Sequence, residues 1–239
     1  MLEIETADAD RVQTAALTEY RLNYQLPMTN NQLQIQSFDF GPFGTNTYVV
    51  STENNVLLID PACSNEYERK ALLDYINSLD IPHSTFHIIA THGHLDHLWG
   101  AAWATEQWNT PVYIHPADMP MVQAMQQQYD LFGIRQKALP FQSASLTEYR
   151  PATPDIVHTG LSILSTPGHT PGSVCFYFPD DNVLFSGDTL FCMGYGRTDL
   201  PGGDFSQLIQ SLNTLFELPA ATRVYPGHGQ PTTIGAERR

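Results

Sequence analysis

Residues 91–97 read Thr91-His92-Gly93-His94-Leu95-Asp96-His97, with three imidazoles and one carboxylate in six consecutive positions. On a helix, His92 and Asp96 share a face and His94 points nearly the opposite way; on a strand, His92, His94 and Asp96 share a face and His97 does not. Neither regular element gathers all four. A loop that leaves a strand and turns into a helix near Asp96 does, and Gly93 gives it backbone freedom. Imidazole nitrogens with a carboxylate oxygen suit zinc, or iron and manganese, better than calcium or magnesium, which favour all-oxygen shells.

The elements around this loop fit that role. The apolar run Phe86–Ala90 leads into it, and a helix over Trp99–Trp108 follows. Three more strands end on residues of ligand type. His169 follows Leu161–Ser165, Asp188 follows Val183–Ser186, and His228, between Gly227 and Gly229, follows Arg223–Tyr225. One histidine after a strand is usually structural, but four strand–turn–ligand units can face one cleft at the strand ends of a layered sheet. Elsewhere short apolar strands start from the stretch LQIQSFDF, Leu33–Phe40, Val56–Asp60 reads as the second clear strand, and residues 66–79 carry apolar positions at helical spacing. A strand over Pro111–His115 completes an alternation of strand and helix that argues for an α/β protein.

Composition narrows the class. The 239 residues suit one enzyme-sized domain, with residues 1–32 as a weakly patterned extension that has a candidate helix at Asp10–Tyr20, and residues 33–239 as the domain proper. Eleven basic against 25 acidic residues leave little from which to build a nucleic-acid surface. There is no apolar signal-length core at the N-terminus and no membrane-spanning apolar run, so a cytoplasmic location is expected. Cys63, Cys175 and Cys192 lack metal or disulfide spacing and read as small hydrophobes. His83, His87, His115 and His158 fall outside the ligand pattern and read as structural or surface residues.

The ordered set His92-x-His94-x-Asp96-His97, His169, Asp188 and His228 resembles that of the metallo-β-lactamase superfamily. The resemblance runs from about Leu33 to the end. It implies a four-layer αββα sandwich with two divalent metal ions, zinc first and iron or manganese as alternatives, on one edge of two sheets. By position, His92, His94 and His169 would hold the first ion, Asp96, His97 and His228 the second, and Asp188 would bridge them. The stretches THGHLDH, TPGHTPGS, FSGDTLF and VYPGHG are similar to those of glyoxalase II-like hydrolases. Asp188 stands where several true β-lactamases carry a cysteine, which disfavours antibiotic hydrolysis. Arg197 sits where glyoxalase II places a basic substrate contact, although Asp199 replaces a tyrosine there. The chain ends at Arg239, before the helical domain through which full-length glyoxalase II grips glutathione, so glutathione recognition is not expected to be tight.

The chemistry so implied is hydrolysis of a small-molecule thioester, or of another ester or lactone, by a hydroxide shared between two metals about 3.5–4 Å apart. Asp96 would orient that hydroxide and take its proton. Asp60, ending a strand before Pro61, is the candidate to hold the outer nitrogen of a ligand histidine. Two other functions stay open: a one-iron persulfide dioxygenase using His92, His169 and Asp188, and a non-catalytic metal-binding domain. Residues 117–153, rich in Met and aromatics, are expected to form a lid or line the cleft. Neither nucleic acid nor membrane is an expected partner, and the sequence assigns no oligomeric state.

Overall fold

The computed structural model describes residues 33–52, 55–79, 81, 85–146 and 160–238. The expected helix at Asp10–Tyr20, His83 and His158 lie outside these residues. Among them, six strands form a first sheet in chain order: β1 (Gln34–Phe40), β2 (Thr45–Ser51), β3 (Asn55–Ile59), β4 (Thr85–Ile89), β5 (Val112–Ile114) and β6 (Ser143–Ser145). The first three are antiparallel, and β3 to β6 run parallel. A second sheet is built from β7 (Ser162–Ser165), β8 (Val174–Phe178), β9 (Val183–Gly187), β12 (Arg223–Pro226) and β13 (Thr232–Thr233), in the order β13-β12-β9-β8-β7. A short hairpin, β10 (Leu190–Phe191) with β11 (Gly194–Tyr195), hangs between β9 and β12 in sequence.

The period of two along each strand sorts side chains into three cores, which is how four layers arise. In β3, Val56 and Leu58 face one core while Leu57 and Ile59 face another. The outer core joins the first sheet to α1 (Glu66–Ser78) and α2 (Ala101–Trp108) through Leu72, Ile76, Ala101 and Ala104. Between the sheets, Leu57, Ile59 and Ile89 meet Val174, Phe176, Phe178, Val183 and Phe185. On the far side Cys175 and Leu184 meet Leu208, Leu212 and Leu215 of α5 (Phe205–Leu215) and Ile234 of α6 (Ile234–Glu237). The α/β class and the αββα layering are therefore as expected. No helix among the described residues is long and apolar enough to cross a membrane.

Two expectations need correction. The strand within Val56–Asp60 is the third, not the second, because Thr45–Ser51, which was not singled out from the sequence, is a fully buried strand with a polar start. The helix after the ligand loop begins at Ala101 behind Gly100, and residues 95–97 form a turn instead.

The inter-sheet core should dominate stability. Phe185 is 1% exposed, and Phe185→Ala should cost about 3–5 kcal/mol, whereas Phe205→Ala, at a 52% exposed position, should stay within about 0.5 kcal/mol. Urea titration of chelator-treated protein measures both, and equal losses would contradict the layering.

Candidate metal centre

Strand direction brings the ligand-type residues together. β7 and β9 both run antiparallel to β8, and β12 runs parallel to β9, so all three end at one edge of the second sheet. Those ends release His169, Asp188 and His228. In the first sheet, parallel β3 and β4 release Asp60 and the loop 91–97. Thr45, opening β2, forms an isolated bridge with His228, and Asn46 donates its backbone N–H to Gly227 O at 2.7 Å, which sews the sheets together at this edge.

Two separate trios of donors result, with a third, His92, His97 and Asp188, running across them. His92, His94 and His169 form one, and Asp96, His97 and His228 the other; within each, the donor atoms lie within 4.8 Å of one another. Asp188 touches both, with Oδ1 3.3 Å from His97 Nε2 and Oδ2 3.5 Å from His169 Nε2 and 3.4 Å from His228 Nε2. Each trio takes two donors from the loop after β4 and its third from the second sheet. The structure thus gathers all seven residues singled out as ligands. Exposure is graded: His92, His97 and His169 are buried, while the side chains of Asp96 and His228 are 18% and 26% exposed, so access is from their side.

The hydrogen bonds dictate which nitrogen of each ring faces inward. His169 Nδ1 donates to the Arg197 carbonyl at 2.6 Å and His228 Nδ1 to the Gly44 carbonyl at 3.1 Å. His97 Nδ1 meets Asp60 Oδ2 at 2.9 Å. Thr91 Oγ1 gives its proton to Asp60 at 2.7 Å and so can only accept from His92 Nδ1 at 3.0 Å. These four rings, when neutral, aim an Nε2 lone pair inward, as rings fixed by an outer acceptor must. His94 instead presents Nδ1, 3.0 Å from His92 Nε2 and 2.8 Å from His169 Nε2. His97 Nε2 and Asp188 Oδ1 are buried without any hydrogen-bond partner. Inward lone pairs and orphaned buried donors are what a cation would satisfy.

Charge divides the two trios. Burial, reinforced by His97 and by each other, holds His92 well below the ordinary histidine range, and burial with His169 brings His94 down to about 3. For His97 burial works in the same direction, but Asp188, Asp96 and Asp60 outweigh it and hold it well above that range. His228 is only partly buried, which lowers it, but its bonds to Asp188 and Asp96 outweigh this and raise it to about 10. Asp96 resists burial through His97 and His228 and falls to about 2; Asp188 is lowered by the same neighbours. Without a metal the second trio is held together by protons, and any cation bound there must displace them.

The sequence pattern of the Metallo-beta-lactamase superfamily matches residues 40–228. The chain belongs to that superfamily. Its members bind metal ions and are usually hydrolases. The chain is 35% identical over 193 residues to the hydroxyacylglutathione hydrolase GloC of Haemophilus influenzae, covering 78% of this chain and 86% of that one. It is similar to the crystal structure of TTHA1623 in a di-iron-bound form, with 36% identity, 85% and 96% coverage and a TM-score of 0.70. It is also similar to that of the BLEG-1 B3 metallo-beta-lactamase, with 32% identity, 85% and 95% coverage and a TM-score of 0.66.

Around these seven side chains, the supporting shell includes residues the sequence did not mark. Asp60, expected to hold a ligand histidine, does contact His97; it also accepts from Thr91 N at 2.7 Å and sits in a left-handed conformation at φ 52. Asp118 was not foreseen. Fully buried, it accepts from Gly93 N at 2.8 Å, Thr170 Oγ1 at 2.7 Å and Gly172 N at 2.6 Å, and so ties the first ligand loop to the one carrying His169. Its only sequence signal is an acidic residue between two prolines in an otherwise apolar stretch. Thr45 Oγ1, also unforeseen, donates to Asp96 Oδ2 at 2.9 Å. Gly93 serves close approach rather than torsional freedom, since a Cβ there would sit 3.1 Å from Asp118 Cβ. At Gly227 any side chain would strike Asp188 Oδ1. Arg197 is a different case: its exposed guanidinium is held by both oxygens of Asp199 at 2.6 Å, and its own link to the centre is the carbonyl that orients His169.

Asp60→Asn keeps a residue that tolerates the left-handed backbone but removes the anion behind His97. Metal affinity should fall about 10- to 100-fold, measured by competition with a chromogenic chelator. Unchanged affinity would reduce Asp60 to a turn residue.

Proposed function

We propose that the chain is a hydrolase with two metal positions that cleaves a thioester or a related ester or lactone. The observation that carries this reading is Asp188, one carboxylate in reach of both trios. The likenesses to GloC and to a di-iron-bound protein support it. A one-iron persulfide dioxygenase accounts for it less well, because one ion at His92, His169 and Asp188 leaves the buried Nε2 of His97 orphaned.

When bound, two such cations would supply a water of lowered pKa and a Lewis acid for the substrate carbonyl. The chain's own groups do the rest. His92, His94 and His169 would hold the first ion, Asp96, His97 and His228 the second, with Asp188 between them. Asp60, Thr91 and the Arg197 and Gly44 carbonyls fix the rings, so little reorganisation is needed as charge develops. Asp96 is the most accessible carboxylate, steadied by Thr45, and can accept a hydrogen bond from a nucleophilic water. With a pKa near 2 it suits orienting that water better than keeping its proton. The buried thiols Cys63 and Cys175 are pushed up to about 12 and about 11 by burial and offer no thiolate nucleophile.

The likeness to a B3 metallo-beta-lactamase keeps the β-lactam amide as a second candidate carbonyl, although the cysteine that several true β-lactamases carry is an aspartate here, Asp188. A panel of S-lactoylglutathione, a neutral thioester, a lactone, a cephalosporin and glutathione persulfide, run on metal-loaded protein, separates these readings. Hydrolysis of none of the first four would overturn the proposal.

Asp188→Ala should lower bound metal from two ions per chain towards none, with a rate loss beyond the roughly 10- to 100-fold of an outer-partner change. His228→Ala should remove mainly one. Elemental analysis beside kcat/KM checks both, and equal losses would deny Asp188 the bridging role. Arg197 is proposed as a contact for an anionic substrate, which must then displace Asp199. Accordingly Asp199→Ala should lower KM for S-lactoylglutathione about twofold and Arg197→Ala raise it similarly, with no change for a neutral thioester. Identical KM values in all three proteins would remove Arg197 from substrate contact.

A further inference from the structure

Beside the metal centre lies a cleft of about 140 Å³, and His94 is part of its lining. Two short helices, α3 (Met119–Gln123) and α4 (Met125–Leu131), supply one side with Met121 and Leu131, and Ala124 and Phe132 adjoin them. Leu200 and Pro201 supply another. Among the described residues that line the cleft, none is Asp, Glu, Lys or Arg.

The two glutamines of the lining, Gln127 and Gln128, do not make it polar in the same way. Gln128 accepts from Leu95 N at 3.0 Å and donates to Gly93 O at 3.0 Å and Met121 O at 3.2 Å, so its amide is occupied in pinning the cleft wall to the ligand loop. Gln127 is the exposed one. Leu131 and Phe132 are 62% and 40% exposed, large apolar groups left facing solvent next to a donor of the metal centre. The ring of Phe43 packs edge-on against Phe132 at 5.5 Å and extends the apolar surface.

We propose that this cleft takes one uncharged, apolar arm of about six carbons from the substrate cut at the neighbouring centre. The size follows from volume: an apolar cavity of about 150 Å³ accommodates benzene. The polarity follows from the lining, because a carboxylate or ammonium placed here would leave water and find no side chain of Asp, Glu, Lys or Arg to replace it. The assignment rests on the hydrolase reading and narrows it. A glutathione moiety, with its charged ends, belongs outside this cleft. Binding gains about two- to fourfold for each methylene buried, and the gain stops once the cleft is full.

The test uses two probes. Straight-chain primary amides from acetamide to decanamide report on the cleft itself, through NMR titration of the metal-free protein. Thioesters of N-acetylcysteamine with acyl chains of the same lengths, and acetyl thioesters of alkanethiols of the same lengths, report through kcat/KM on the metal-loaded protein. The expected result is a rise with chain length in the amides and in one thioester series, levelling near six carbons. Ala124→Leu, which fills the cleft, should shift that plateau to shorter chains, and Leu131→Glu, at an exposed position, should flatten the rise. Amides that bind with this dependence, beside thioesters that are not hydrolysed, would leave the cleft standing and remove the hydrolase reading. Amide binding and hydrolysis that are both indifferent to chain length and to both substitutions would overturn the proposal.

Discussion

Everything at the open edge of the two sheets answers one constraint: seven donor groups are crowded into a mostly buried space with fewer protons than lone pairs. Burying such groups is costly unless each meets a counter-charge or a hydrogen bond. The fold meets the cost in two ways. In four of the five rings the outward-facing nitrogen is given a fixed acceptor, a carbonyl, a hydroxyl or Asp60. Inward-facing atoms are left to share cations, and the three carboxylates Asp60, Asp96 and Asp188 surround His97 and draw it towards positive charge. The left-handed backbone at Asp60 belongs to this arrangement, since it is the turn that lets one carboxylate serve both Thr91 and His97.

How much of this could be read from the sequence depended on which physical signal each residue carried. Strands with apolar side chains on both faces, such as Val56–Ile59 and Val183–Phe185, stood out because both faces are covered by other layers. The donors stood out because each follows a short strand run recognisable in the sequence, even the largely exposed Ser162–Ser165 before His169. Thr45-Asn46-Thr47 did not look like strand because its polar groups are buried yet satisfied by partners far away in sequence, Asp96, the Pro226 carbonyl and the Asp60 carbonyl. Asp118 was illegible for the same reason: its three donors come from two other loops, and no local pattern announces that an acid will be fully buried.

The same distinction bears on residues 117–153, read from the sequence as lid or lining. In the described part of that stretch, Asp118 and Gln128 bind the backbone of the ligand loop directly. A motion that opened it would have to break those bonds, so its first half is better regarded as a fixed wall. Composition suggested the apolar character of this wall; only the long-range hydrogen bonds reveal that it is anchored.

The division of each trio, two donors from one sheet and one from the other, also has a meaning for how the chain acquires its fold. His94 and His169 are 75 residues apart, and closing so long a stretch of chain is entropically slow compared with forming helices or hairpins. Until the second sheet docks, the loop after β4 offers each position only two donors, too few for tight capture. A chain emerging from the ribosome would therefore lack a full set of three donors at the first position until His169 had been made and docked, and at the second until His228 had followed, so that metal uptake would trail the docking of the second sheet rather than start the folding.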